Sequence, residues 1–129
     1  LKGGDTIACL LPAVSYFLDI PYAPARKLIE NRIPVALATD FNPGSAMSEN
    51  IQLTMSMGVQ LLKMNIEETI NAVTINAAAA LGVSHNTGSI ETGKQGDMLI
   101  FDTRDYRDIL YHFGVNQLDK VIKKGKVIN

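Results

Sequence analysis

One cysteine, Cys9, is the only thiol in these 129 residues. An internal disulfide is therefore excluded, and so is a cysteine-based zinc cluster. Cys9 lies in the apolar run 7–11, which predicts a small core residue in a reducing compartment. An excess of one charge is missing as well. Twelve basic side chains against thirteen acidic ones leave a formal net charge of −1, so there is no electrostatic footprint for nucleic acid or an anionic membrane. The cluster Lys120, Lys123, Lys124 and Lys126 is expected as a solvated face. No apolar run approaches the roughly 18 residues that a membrane-spanning helix needs, and a secretory leader is not expected. A cytoplasmic address is expected. His85 and His112 form neither an H-x-H pair nor a helical i,i+4 pair, so each is expected in a surface or packing role. A glycine-rich phosphate loop and a nucleophile elbow are absent too.

What remains has ordinary globular composition, 47% hydrophobic and 19% charged, which excludes a disordered tail. The opening Leu1-Lys2-Gly3-Gly4-Asp5 carries no initiator methionine, and a piece of something longer is expected.

The organising stretch is 35–45. Residues 35–39 read as a buried strand that stops at Asp40, and Asn42-Pro43-Gly44 then favours a turn. Ligands of parallel sheets collect past the carboxyl ends of the strands, where an acid can bind a metal or move a proton. The plainer reading, a backbone turn made of Asp, Asn and Gly, stands beside it.

Before that stretch, residues 6–11 predict a strand ended by Pro12, and 13–18 a loop or a helical turn. Pro24 suits the first turn of a helix with Ala25, Leu28 and Ile29 as its apolar stripe, and Pro34 stops it. Strand, helix and strand then fit one βαβ unit. After it, residues 47–63 predict a helix that is apolar over most of its circumference, with Glu49, Gln52, Ser56, Gln60 and Lys63 on one polar arc. Such a helix should be buried on more than one side, against the sheet and against a further domain or subunit. Asn65 and Glu68 match a capping box, with Ile66, Ile70, Val73, Ala77 and Leu81 as the core stripe and Gly82 as a C-terminal cap. Beyond a boundary near 83–87 the pattern turns to short β-type runs at Ile90 and at 98–101, closing on a hairpin around Lys124-Gly125.

Four stretches together, Ala38-Thr39-Asp40, residues 76–82, residues 88–102 and residues 121–128, resemble the C-terminal third of the metal-dependent amidohydrolase superfamily. Within it, residues 10–18, 40–45 and 111–117 are similar to the branch that opens an imidazolone ring in histidine degradation. The resemblance implies an α/β fold, the C-terminal fragment of a (β/α)8 TIM barrel plus part of a small β-sandwich. Residues 1–83 would be the last two strand–helix units of the barrel, and 84–129 the β-rich part of the sandwich. It further implies one divalent metal ion, zinc or iron, with Asp40 as both metal ligand and catalytic proton carrier. Asn42, Gly44 and Ser45 match positions that hold the substrate, 4-imidazolone-5-propanoate, or its product, N-formimidoyl-L-glutamate. The implied partners are this small molecule, the missing N-terminal part of the same enzyme with its histidine ligands, and a second copy in a homodimer, with no nucleic acid and no membrane. The chain alone is expected to be inactive. Another cyclic amidohydrolase or deaminase, or a non-catalytic interaction module that uses the 47–63 helix as its partner surface, are the alternatives.

Overall fold

The computed structural model describes residues 6–128. Its first sheet is a parallel pair, β1 (Ala8–Leu10) and β2 (Val35–Leu37), with Ala8 opposite Val35, Cys9 opposite Ala36 and Leu10 opposite Leu37. Parallel neighbours need a crossover rather than a tight turn. Here it runs through α1 (Pro12–Leu18) and α2 (Ala25–Glu30). Residues 13–18 are thus helical, and Pro12 opens their helix rather than merely ending the strand before it. Its missing N–H costs nothing in a first turn. Pro24 is the N-cap of α2, one residue before its first turn, and α2 ends at Glu30, four residues short of the expected stop at Pro34, which stands just before β2.

Side chains alternate across a strand. Leu10, Val35 and Leu37 join Ala25, Leu62, Met64 and Ala72 in the core on one face. Ala36, on the opposite face, is buried as well, while its register partner Cys9 is exposed. The expected core cysteine is thus corrected: β2 is buried on both faces, whereas β1 is fully buried only at Leu10.

The helix predicted over 47–63 is shorter, α3 (Ile51–Gln60), because Asn50 caps it by accepting the Leu53 N–H. A Cβ at Gly58 would lie 2.8 Å from Leu37 Cδ1, so α3 sits close on β2, and a larger residue there would make the Leu37 side chain shift. The helix is packed on several sides, against β2, α1, α4 (Ile66–Val73) and α6 (Asp108–Tyr111). Its polar arc is corrected in part: Gln52 and Ser56 are buried. Both meet the C-terminal segment, Ser56 Oγ donating to the Leu110 carbonyl at 2.5 Å and Gln52 Nε2 donating to Asn116 Oδ1 at 2.7 Å.

The capping box of α4 is formed as expected: Asn65 accepts the Glu68 N–H and Glu68 accepts the Asn65 N–H. The long core stripe does not continue beyond it. At Thr74 the backbone turns to φ −119° and ψ −95°, and α5 (Ile75–Ala80) starts afresh. Thr69, Ala72 and Ala78 are the buried residues, while Leu81 is 78% exposed. Thr69 tolerates burial because its hydroxyl donates to the Asn65 carbonyl. Gly82 follows α5 at φ +72°.

The remaining strands, β3 (Met98–Phe101), β4 (Leu118–Lys123) and β5 (Lys126–Val127), form an antiparallel sheet in the order β3-β4-β5. Lys124 and Gly125 both have positive φ, the signature of the two-residue turn that matches strand twist. Ile90 lies outside any strand and is 86% exposed. No described helix is long and apolar enough to cross a membrane.

Candidate active-site loop at the end of β2

The β1–β2 ladder continues one residue past the strands, where the Ala38 N–H donates to the Leu10 carbonyl. Pairing then stops and the chain turns at Asp40, whose φ is +50°. Asp is one of the few side chains that visit this left-handed region, since its short polar group can bond locally. The Asp40 carboxylate is exposed and enters no salt bridge among the described residues.

Asn42 closes the loop. Its backbone N–H donates to the Ala46 carbonyl at 3.0 Å and its carbonyl accepts the Ala46 N–H at 3.2 Å, with Ala46 itself buried. Its Nδ2 donates to the Asp40 carbonyl at 2.6 Å, to Ser45 Oγ at 3.0 Å and to Asp40 Oδ2 at 3.3 Å. Its Oδ1 accepts the N–H groups of Gly44 and Ser45, both at 2.9 Å. The four residues singled out in the sequence, Asp40, Asn42, Gly44 and Ser45, are thus brought into one hydrogen-bonded unit.

Cys9 belongs to the same neighbourhood, which sequence reasoning missed. Partial desolvation raises its thiol above the ordinary value, and the negative charge of Asp40 pushes it further. The histidines are elsewhere. His85 and His112 are both exposed, and the His112 ring meets Tyr111 edge-on at 5.3 Å. Among the described residues no three His, Cys, Asp or Glu side chains gather as a metal site.

Residues 6–128 match the amidohydrolase family. The chain is 54% identical over 125 residues to an imidazolonepropionase from Alkaliphilus oremlandii, covering 96% of the chain and 30% of that protein. It is 50% identical over 129 residues to an imidazolonepropionase from Treponema denticola, covering 99% and 31%. The chain therefore spans about a third of the length of the curated relatives it matches. Among solved structures, an adenosine deaminase from Xanthomonas campestris with bound zinc superposes with a TM-score of 0.82 at 23% identity, covering 94% of this chain and 31% of the other.

Proposed function

The chain belongs to the amidohydrolase family, and from that premise we propose that it is the C-terminal part of an imidazolonepropionase. That enzyme hydrolyses 4-imidazolone-5-propanoate to N-formimidoyl-L-glutamate in histidine degradation. The observation that carries the reading is 54% identity over nearly the whole chain. In support, an exposed carboxylate stands just past the carboxyl end of a parallel strand, where such folds place their chemistry.

On this reading residues 1–83 are the last two strand–helix units of a (β/α)8 barrel, and 84–129 are part of a small β-sandwich. A whole barrel takes roughly 250 residues. The parallel β1–β2 pair under its helices and the antiparallel β3-β4-β5 sheet support the division. The complete protein is proposed to be a cytoplasmic homodimer.

The described residues do not by themselves fit a complete metal site, since a zinc site needs at least three protein donors and none gather here. Asp40 fits as one oxygen ligand, being exposed and free of salt bridges. The ion, zinc or iron, would take its histidine ligands from strands outside this chain. When bound, such an ion makes water a stronger acid and polarises a carbonyl. The Asp40 carboxylate accepts the proton released on attack and hands it to the ring nitrogen as the C–N bond breaks. Gly44 and Ser45, with Asn42, form the loop against which the substrate rests.

The test is turnover by the purified full-length enzyme with zinc, comparing imidazolone-propanoate with a hydantoin and guanine. Preference for imidazolone-propanoate, with no activity from the 129 residues alone, is the expected result. Preference for either other ring, or turnover by the short chain, contradicts the reading.

A further inference from the structure

We infer that residues 16–22, an apolar knob that projects beyond the carboxyl end of β1, form a docking surface for the part of the same enzyme that lies outside these 129 residues. The inference rests on the reading of this chain as one part of a longer protein. Every residue of the knob is exposed, whereas 13–15 before it are half-buried and Pro12 is buried. Tyr16, Phe17, Leu18, Ile20 and Tyr22 make it almost wholly apolar, with Tyr16 66% and Phe17 57% exposed. Single exposed apolar side chains are ordinary, but a contiguous group of them marks an interaction site. Aromatic side chains are also what the buried centre of a protein interface favours. The knob is preformed: α1 ends at Leu18, Asp19 takes φ +52°, and the N–H groups of Asp19 and Ile20 both donate to the Ser15 carbonyl. A partner that covers it has little left to order.

The surroundings select the occupant. No basic residue lies between Lys2 and Arg26, so the knob lacks the cations that hold a protein on an anionic membrane surface. Among the described residues β1 has one strand neighbour, β2. Its other edge is open, and parallel sheets have such edges paired or covered. Leu11 alone separates β1 from α1, so whatever completes that edge arrives beside the knob. A second copy related by a two-fold axis would meet the edge antiparallel and would not extend a parallel sheet. The remainder of the same protein can. This chain covers 30% of one curated relative and 31% of another, so more than two-thirds of each lies outside it.

The experiment irradiates the full-length enzyme carrying Phe17→p-benzoylphenylalanine, then reads the product mass on a denaturing gel and the joined peptides by mass spectrometry. A cross-link from position 17 to a peptide outside residues 1–129, at the mass of a single chain, is the expected result. An adduct of doubled mass, which makes a second copy the occupant, overturns the inference. So does a cross-link confined to residues 1–129, or none at all. Oxidation of Tyr16 and Phe17 by hydroxyl radicals is followed in the wild-type full-length enzyme as well, so that the result does not depend on the variant folding. It should run about tenfold slower than after unfolding in urea, as for side chains from which an interface excludes water, and a difference below about twofold overturns the inference. If the wild type fails to turn over imidazolone-propanoate while the cross-link forms as expected, the proposed function falls and the docking surface stands.

Discussion

The Ser56 hydroxyl, buried on α3, donates a 2.5 Å hydrogen bond to the carbonyl of Leu110, 54 positions later in the chain. It also lies 3.2 Å from the Gln52 carbonyl of its own helix. This contact fastens the segment before β4 to the helix that follows the Asp40 loop. Ser56→Ala leaves the Leu110 carbonyl without that donor in a buried place and is expected to cost about 1–3 kcal/mol. A lowered thermal midpoint of the full-length enzyme, with faster amide exchange over 108–118, checks it.

Glu68 joins two elements at once. It completes the α4 capping box and receives a paired bond from Arg26, at 2.6 and 3.0 Å. The Arg26 hydrogen bond is the main cause that lowers its pKa. Asn65→Ala should cost about 1 kcal/mol through loss of the cap. Arg26→Ala should cost less, since part-exposed ion pairs are worth little. Chemical denaturation of the two variants side by side gives the order, and the reverse order would contradict the assignment.

Asp97 ties the loop before β3 to the β4–β5 turn. Lys123 Nζ and the Lys124 N–H both donate to it, and the carboxyl is lowered from 3.8 to about 2. A depressed folded-state pKa stabilises above the unfolded value, and that contribution disappears as pH falls from about 4 to about 2. The stability gap between wild type and Asp97→Asn should therefore be constant above pH 5 and close towards pH 2. A gap that widens on acidification contradicts the bond.

Gly88 combines φ +95° with a close approach: a Cβ there would fall 2.5 Å from Ala78 Cβ and 3.2 Å from Ile75 Cα. Gly88→Ala strains the backbone and overpacks α5, and each effect costs about 1–3 kcal/mol. A melting temperature within a degree of wild type would show that the 83–97 loop does not rest on α5 as described.

Local chemistry was legible in the sequence wherever the partners are a few residues apart. The Asn65–Glu68 capping box, the Pro24 start of α2 and the Lys124-Gly125 turn each lie within one turn of backbone, and all are found where the pattern puts them; α2 ends at Glu30, four residues before Pro34. The strand ending before Asp40 was readable from a run of small apolar residues closed by an acid. What the sequence hid depends on distant partners. Gln52 and Ser56 look like a solvated arc until Asn116 and Leu110 arrive from more than 50 positions away. Cys9 looks like core because its neighbours are apolar, yet it is exposed while Leu10 beside it and Ala36 opposite it are buried. The break at Thr74 leaves no proline or glycine to announce it. At the loop itself the residues were identifiable, but the inward use of the Asn42 amide was not, because it follows from which way the side chain turns.

The most direct test of the account is the turnover of imidazolone-propanoate by the full-length enzyme before and after Asp40→Asn, with circular dichroism to confirm that the fold is kept. An active wild type and a folded variant with turnover abolished are expected, since the amide can neither accept the proton nor act as an anionic ligand. A folded Asp40→Asn enzyme that retains wild-type turnover would contradict the role given to Asp40 and, with it, the central claim.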